Sequence, residues 1–335
     1  MDNVMSVKER FKKLYPQEAQ AFENAKSDEE LTALKNQFLL EAKQRLIQEI
    51  EKTDLKNTVD LEALKGTDET VAVAITESVY KTLINARGDQ IETELIKFFD
   101  TVERLKDMGT QDAEVLTYAM VNGGIAALGI AMVTDLILNL LQGLGLAEAI
   151  FTAVVSLGTT VVGAIVDIIV LCIIPIFYFM AKPAACIFMI INELETNLVI
   201  DEEKVVHGKV NVKTREIAAS LKIIHTTRSG GIWSTQKKDA ALIGTQYGVV
   251  LRQAKGISGV EPDNTKFAVG VECPLASGNN SCAVGINKTA SQIADEVDDH
   301  RRQSVSVSDG KYGIEMHCNS GSGSLAYYIC RIYKC

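Results

Sequence analysis

Residues 149–166 read AIFTAVVSLGTTVVGAIV, eighteen consecutive residues without a charge, and this stretch decides how the rest of the chain is interpreted. About 20 apolar residues form a helix long enough to cross the hydrocarbon core of a bilayer. The apolar composition extends on both sides, because residues 116–191 contain only four charged side chains, Asp135, Glu148, Asp167 and Lys182. The pattern predicts an apolar helical hairpin over about residues 111–192, with its turn at Gly143–Gly145.

The two flanks of this stretch differ from it, and from each other, in charge. The chain has 335 residues, 47% of them hydrophobic, and a formal net charge of −9. Residues 1–115 carry a net charge of −8, whereas residues 201–335 carry +3. The acidic balance argues against a nucleic-acid-binding protein, which would concentrate Lys and Arg. We expect an α+β chain with two domains, residues 1–200 and residues 201–335.

Residues 1–110 are predicted to form amphipathic helices. Ser27 and Glu30 have the spacing of a capping box, and apolar residues recur after them at steps of three and four. Further helices are predicted over residues 67–86 and 90–108. Each of these helices has an apolar face that must pack against another part of the protein. We expect these faces to cover the hairpin, so that residues 1–200 form a helical bundle around it.

Three interpretations of the apolar segment are open: the buried core of a helical domain, the anchor of a permanent membrane protein, and a hairpin stored in the protein that later inserts into a membrane. Each of its three acidic residues would cost about 2.5–3.5 kcal/mol at the centre of a lipid-facing helix. This cost favours the stored hairpin over a permanent span. Interleaved Ser, Thr, Gly and Ala residues also permit close helix packing in lipid.

The stored hairpin assigns roles to individual side chains. Protonation of its acidic residues is predicted to accelerate insertion at mildly acidic pH, and acids facing a pore would favour cations. These acidic residues are Asp135, Glu148 and Asp167. The residues predicted to enter the membrane are Ile125, Leu128, Val133, Leu136, Leu140, Leu144, Ile150, Val154, Val161, Ile165 and Ile169.

After residue 200, short runs of β-branched and aromatic residues alternate with Gly, Asn, Ser and Asp, which is the pattern of strands joined by turns. Seven or eight such strands indicate an antiparallel β-sandwich. A short helix is predicted over residues 291–299. The candidate strands cover residues 205–212, 216–226, 247–253, 267–273, 282–287, 304–307, 312–318 and 325–333.

Aromatic residues of the C-terminal part are candidates for surface recognition. Trp and Tyr suit membrane interfaces and ligand-binding faces because each combines an apolar ring with a polar group. The alternative for the only tryptophan is that it fills the interior of the sandwich. Tyr327 and Tyr328 are neighbours on a candidate strand and point to opposite faces, so one is expected outside. The predicted recognition residues are Trp233, Tyr247, Tyr327 and Tyr328.

The sequence shows no signature of bond chemistry. It contains no phosphate-binding loop, no HExxH or GxSxG motif and no compact metal-ligand spacing, so we expect no enzyme activity, cofactor or metal. Five of the seven cysteines lie in the C-terminal part. If they are oxidised, the favoured pairs are Cys273–Cys282 and Cys318–Cys330, because each pair flanks a turn between neighbouring candidate strands.

A helical bundle around an apolar hairpin, followed by a separate β-domain, resembles the α-helical pore-forming toxins. Haemolysin E-like cytolysins, pore-forming colicins and the helical domain of insecticidal crystal toxins share this architecture. The resemblance implies that the C-terminal domain binds a lipid or glycan on a target cell membrane. It also implies that the chain forms homo-oligomers there and inserts the hairpin.

Two alternatives stand beside this function. One is a permanently membrane-anchored protein with an exposed β-domain, and the other is a soluble lectin-like module with a buried apolar helical core. The first residues, Met1–Lys13, lack the apolar run of a cleaved signal peptide. We therefore expect a protein that is made in soluble form and acts on target membranes after release.

Overall fold

The chain forms two compact units, which are described separately. In the computed structural model the first unit contains Met1–Val79, Ile96–Phe179 and Lys222–Thr227, and the second contains Tyr80–Leu95, Met180–Leu221 and Arg228–Cys335. The residues that the structure describes are 2–52, 72–75, 77–108, 125–128, 160, 161, 163, 164, 167, 170, 171, 177, 178, 184–222, 226–238, 241–256, 259–276, 278–319 and 325–335.

Helices dominate the N-terminal region, as the apolar periodicity predicts. Ser27 caps the longest of them, because its hydroxyl accepts a hydrogen bond from the Glu30 backbone N–H at 3.2 Å. This confirms the predicted helix start. The elements are α1 (Asp2–Leu14), α2 (Pro16–Asn24), α3 (Asp28–Glu51), β1 (Ala72–Ile75), α4 (Glu77–Asn85), α5 (Asp89–Met108) and β2 (Ile125–Leu128).

Two helical predictions are wrong at short apolar runs. Strand β1 (Ala72–Ile75) lies inside the helix expected over residues 67–86, and it pairs antiparallel with β2. Ile125 and Leu128 therefore lie in a strand and not in a helix of the hairpin. The four residues of β2 are flanked by Gly124 and Gly129 in the sequence. Glycine disfavours a helix interior, and an apolar run of this length does not distinguish a strand from a helix.

Part of the predicted hairpin lies in the first unit with its side chains buried. Val161 is buried, and so is Asp167, whose Oδ1 accepts a hydrogen bond from the Tyr15 hydroxyl at 2.7 Å. Among the described residues, no helix combines the length and apolarity needed to cross a membrane. The other assigned hairpin residues lie outside the described residues: Val133, Asp135, Leu136, Leu140, Leu144, Glu148, Ile150, Val154, Ile165 and Ile169.

The second unit is built from mostly antiparallel strands. Its elements are β3 (Ala185–Asn192), β4 (Asn197–His207), β5 (Lys209–Val212), β6 (Glu216–Ile217), β7 (Leu221–Lys222), β8 (Thr226–Gln236), β9 (Thr245–Ala254), β10 (Lys266–Cys273), β11 (Ser281–Ile286), α6 (Ala290–His300), β12 (Ser304–Ser308), β13 (Tyr312–Cys318) and β14 (Leu325–Lys334). One sheet contains the order β12-β13-β14-β3-β8, with β5 also paired to β8, and the other has the order β11-β10-β9-β4-β6. Only the β14–β3 pair among these is parallel.

Side chains of both sheets share one hydrophobic cluster. Phe188 on β3 stacks on Trp233 of β8 at 5.4 Å between ring centroids, and it also contacts Tyr247 of β9 at 6.1 Å. Helix α6 packs on the other face of the second sheet, where Ile293 and Val297 join a smaller apolar cluster. The α+β class and the two mostly antiparallel sheets predicted from the sequence are confirmed at this level.

The sequence analysis missed strands β3 and β8, and it located only the last residues of β4. The helical hairpin was expected to extend to about residue 192, yet residues 185–192 are a strand with every residue buried. A strand that is covered on both faces reads as a continuous apolar run and lacks the alternation of a half-buried strand. The physical reason for the error is therefore the central position of β3, between β14 and β8.

Candidate functional site

The four aromatic residues predicted for surface recognition are in the interior of the second unit. Trp233, Tyr247, Tyr327 and Tyr328 each expose 1% of their surface or less. The prediction that they form a recognition surface is therefore wrong, and the alternative that Trp233 fills the core is confirmed. Large aromatic rings contribute the most to stability where they are fully covered, and this unit uses them to fill the space between its sheets.

Tyr327 and Tyr328 point to opposite faces of β14, as expected, but both faces are covered. The Tyr328 hydroxyl donates a hydrogen bond to the Glu272 carbonyl oxygen at 2.6 Å in the interior. On the other face, the segment 80–95 lies against the sheet, and Arg331 donates to the Tyr80 hydroxyl at 3.3 Å. Burial raises the pKa of Tyr327 above that of a free tyrosine.

None of the six cysteines that the structure describes takes part in a disulfide, including the four of the two pairs favoured on oxidation. The strand register gives the reason. Cys282 lies opposite Val271, two residues from Cys273, and Cys318 lies opposite Tyr328, two residues from Cys330. Diagonal neighbours of this kind are about 7–8 Å apart, beyond the usual Cα separation of a disulfide.

The most exposed apolar side chains of the second unit lie in the connection between β8 and β9, residues 237–244, here called the β8–β9 loop. Leu242 exposes 88% of its surface and Ile243 exposes 56%. Two adjacent aliphatic side chains in water are unfavourable for the isolated chain, because each would gain about 1.5–3 kcal/mol by full burial. This exposed pair is a candidate contact surface, because neither side chain is covered by the described part of the protein.

The base of this loop is held firmly to the rest of the unit. The Lys237 N–H donates to the Ala184 carbonyl oxygen at 3.0 Å, and the Lys237 ammonium donates to the Ala241 carbonyl oxygen at 3.4 Å. At the other end of the loop, Gly244 lies against β10, where an added Cβ would be 2.0 Å from the Cys273 carbonyl oxygen. Leu242 and Ile243 therefore project from a loop whose two ends are fixed.

Basic residues accompany the apolar pair. The loop reads KKDAALIG, with two lysines and one aspartate, a net charge of +1. The side chain of Lys238 is exposed. Lys209 on β5 lies opposite Gln236, the last residue before the loop, and adds a third lysine near its base. The loop thus combines apolar side chains with cations, which is the chemistry of an interfacial segment.

Sequence reasoning overlooked this loop because it weighted aromatic residues above aliphatic ones. The available signal was the position of Leu242 and Ile243: they follow a basic pair and precede Gly244, in a segment without strand alternation. Among the residues that the structure describes, no group of His, Cys, Asp and Glu is arranged to hold a metal ion.

No family model matches the chain, and no curated protein matches it. Solved structures give weak likenesses over less than half of the chain. The lipid binding protein Nakanori is 14% identical, with 45% of this chain and 71% of that chain covered and a TM-score of 0.37. The Xerocomus chrysenteron lectin XCL is 14% identical, with 44% and 99% covered and a TM-score of 0.27. RahU protein, solved with TRIS, is 10% identical, with 45% and 95% covered and a TM-score of 0.26.

Proposed function

We propose that the protein binds lipid bilayers with anionic headgroups, and that the β8–β9 loop of the second unit is the docking element. The observation that carries this proposal is the exposure of Leu242 and Ile243 at 88% and 56% on a loop with fixed ends. In a bilayer these side chains enter the boundary between headgroups and acyl chains, while the lysines of the loop stay at headgroup level.

Apolar transfer supplies the larger part of the binding energy in this proposal. Leu242 is close to fully exposed and Ile243 about half exposed. Scaled by these fractions, their insertion contributes about 2–4 kcal/mol, which corresponds to roughly 30-fold or more in the partition coefficient. Aliphatic side chains favour a lipid partner, since the aromatic residues considered for a glycan partner are buried.

Electrostatic attraction supplies the smaller part and gives selectivity for anionic membranes. A lysine near an anionic leaflet contributes about 1 kcal/mol, or roughly fivefold in binding. Lys238 is the exposed cation next to the apolar pair. The net charge of +3 over residues 201–335 acts in the same direction.

The test is co-sedimentation of the full chain with vesicles of phosphatidylcholine, with and without phosphatidylserine. We expect the double variant Leu242→Ser, Ile243→Ser to bind roughly 30-fold more weakly to both compositions. Lys238→Gln should bind about fivefold more weakly, and only to vesicles that contain phosphatidylserine.

Matched control residues lie at the opposite end of the second unit's strands from the β8–β9 loop. Val260 is 40% exposed on the connection after β9, and Lys334 is exposed at the end of β14. Val260→Ser and Lys334→Gln should bind vesicles like the unmodified chain. Equal binding by the Leu242, Ile243 double variant would refute this docking element. Binding to immobilised glycans but not to carbohydrate-free vesicles would establish the glycan partner instead.

A second candidate function is membrane insertion of the apolar segment after docking, with assembly of several copies into a pore. It is favoured by a cluster within the first unit, where aromatic residues of α1, α2 and α5 contact Phe177 and Tyr178. Phe11 and Phe22 contact the Tyr178 ring at 6.0 and 5.3 Å, and Phe99 contacts Phe177 at 5.3 Å. Asp167 is buried beneath them with Tyr15 as its hydrogen-bond donor. This is the arrangement that a stored segment requires.

Crosslinking tests the second candidate. Tyr15→Cys and Asp167→Cys, in a Cys335→Ser background, would be joined by a short bis-maleimide, since the two native side chains touch. If the segment leaves its helical cover, the crosslinked chain should bind vesicles normally but release no trapped dye, whereas the uncrosslinked double variant should release it. Equal dye release by both forms would refute release of the segment, and the absence of dye release from the unmodified chain would refute pore formation.

A further inference from the structure

Ser304 on β12, together with His317 and Glu315 on β13, forms a hydrogen-bonded series outside the β8–β9 loop. The Ser304 Oγ lies 2.6 Å from His317 Nδ1, and His317 Nε2 contacts Glu315 Oε1. A hydroxyl next to an imidazole, whose other nitrogen meets a carboxylate, is the arrangement that activates a serine nucleophile.

The strand register explains why these side chains meet. Ser304 lies opposite His317, and the neighbouring Cys318 N–H donates to the Gln303 carbonyl oxygen at 2.9 Å. Hydrogen-bonded and non-hydrogen-bonded pairs alternate along an antiparallel ladder. Because this bond joins the residues that flank Ser304 and His317, these two form a non-hydrogen-bonded pair. In such pairs the Cα atoms are only about 4.5 Å apart, and the side chains are brought together.

The partners determine where the protons are. An ionised carboxylate can only accept hydrogen bonds, so His317 Nε2 carries the proton that faces Glu315. Nδ1 of the neutral imidazole is then an acceptor, and the Ser304 hydroxyl donates to it. The Ser304 oxygen is therefore polarised toward its base in the resting protein.

Glu315 is kept ionised and in place by two arginines. Arg331 donates to it from Nε and Nη2 at 3.0 and 2.8 Å, and Arg87 lies 3.2 Å away. Burial alone would raise the pKa of Glu315, but the hydrogen bonds from Arg331 and His317 outweigh it and lower the pKa. Burial lowers the pKa of His317, so the imidazole is neutral at pH 7.

The face of β12 that carries Ser304 is exposed to solvent. Ser304 is exposed, and the outer face of β12 carries only Ser304, Ser306 and Ser308, which are small. Strand β12 is the last of its sheet, and in a non-hydrogen-bonded pair the Ser304 N–H points away from β13. A backbone N–H beside the nucleophile is a donor for the oxyanion of acyl transfer.

We propose that Ser304 is a nucleophile for acyl transfer from small, unhindered esters, that His317 is its general base, and that Glu315 is a positioning residue. The Ser304 Oγ attacks the ester carbonyl carbon, and its proton moves to His317 Nδ1. The bond from that carbon to the alkoxy oxygen breaks, and the alcohol leaves with this proton. Water then attacks the carbonyl carbon of the acyl-serine and gives a proton to His317 Nδ1. The bond from that carbon to Ser304 Oγ breaks, His317 passes the proton to Ser304 Oγ, and a carboxylic acid is released.

The test uses the full chain with 4-nitrophenyl acetate. We expect a burst of about one equivalent of 4-nitrophenolate and acetylation of Ser304 detected by mass spectrometry. Ser304→Ala should abolish both, whereas Ser306→Ala, on the same exposed face of β12, should leave both unchanged. His317→Gln should slow the acetylation by about 10²–10⁴-fold.

The variant Glu315→Gln tests whether Glu315 positions His317 for catalysis or only supports the fold. The groups facing His317 are Glu315 on its own strand, Arg331 on β14 and Arg87 between α4 and α5. Because Glu315 stabilises the imidazolium, its replacement should move the midpoint of the pH–rate profile to lower pH and reduce the maximal rate. Acetylation of Ser304 no faster than that of Ser306, or a rate unchanged by His317→Gln, would overturn the proposal.

Discussion

The two ends of strand β9 are built in opposite ways. After its last residue, polar groups converge on Asp263, which accepts hydrogen bonds from Gln253 and the Thr265 N–H at 2.6 and 2.8 Å. Lys311 and the Tyr312 hydroxyl donate to its other oxygen at 2.5 and 2.9 Å. Before its first residue, the β8–β9 loop leaves Leu242 and Ile243 in solvent. Hydrogen bonding within the chain completes one end, whereas the other end leaves two apolar side chains uncovered, and we propose that a membrane covers them.

We expect the two ends of β9 to contribute to different properties, one to the stability of the fold and the other to binding. Four donors fix Asp263, so its removal affects the folded state. Leu242 and Ile243 bury little surface on folding, so their removal affects what the protein binds. Substitutions at the two ends should therefore change different observables, and the four predictions below test this separation.

The largest effect is expected from a pair of glycines at the two ends. An added Cβ on Gly244, at the base of the β8–β9 loop, would lie 2.0 Å from the Cys273 carbonyl oxygen, and the backbone of β10 would have to move. Gly244→Ala should lower the free energy of unfolding by about 3 kcal/mol. At the other end, Gly259 has a φ of +71° and no atom within 4 Å of the added Cβ.

Gly259→Ala is therefore the matched control, and it should cost only about 1 kcal/mol of left-handed strain. Urea denaturation of both variants measures the difference. Equal losses in the free energy of unfolding would mean that the base of the β8–β9 loop is packed no more tightly than the opposite connection. This result would contradict the difference between the two ends of β9.

The next effect concerns Asp263. Asp263→Ala leaves Gln253, Lys311 and Tyr312 without their acceptor, and we expect a loss of about 2–3 kcal/mol in the free energy of unfolding. Asp299→Ala, at an exposed position on α6, should change it by less than about 0.5 kcal/mol. A loss at Asp299 as large as that at Asp263 would show that the polar end has no special role.

Acid should lower the contribution of Asp263 to the free energy of unfolding. Burial raises the pKa of Asp263, but the hydrogen bonds from Lys311, Thr265 and Tyr312 outweigh it and hold the pKa well below its usual range. The unfolded chain then binds more protons than the folded one, so this contribution is complete above about pH 4 and is lost as the pH falls below it. Asp263→Asn should lose less stability than the unmodified chain between pH 5 and pH 2, measured by urea denaturation at each pH.

The sequence predicted strands β9 to β14 of the second unit well, and it predicted the earlier strands and the exposed side chains poorly. Alternation and turn residues located β9 to β14, because these strands have turns at their ends that are visible in the sequence. Strand β3 was missed because its burial on both faces removes alternation. The exposure of Leu242 and the burial of Trp233 depend on which strands pair and which faces meet, which residue type alone does not reveal.

The site around Ser304 also could not be predicted from residue type alone. Its three residues are spread over residues 304–317 and match no motif, because two strands and their register bring them together. The expectation that the chain lacks enzyme activity rested on the absence of such motifs. It stays a prediction, and the acetylation of Ser304 decides between it and the proposed acyl transfer.

The smallest expected effect is the one that best isolates binding from folding. Leu242→Ser with Ile243→Ser replaces two side chains that are 88% and 56% exposed, so little apolar burial is lost and no cavity forms. Scaled by the fractions that are buried, the free energy of unfolding should fall by only about 1–1.5 kcal/mol, although vesicle binding falls roughly 30-fold. Urea denaturation and vesicle co-sedimentation of the same preparation measure both. If stability fell by 2 kcal/mol or more, the pair would be part of the fold, and its loss of binding would no longer identify a docking element.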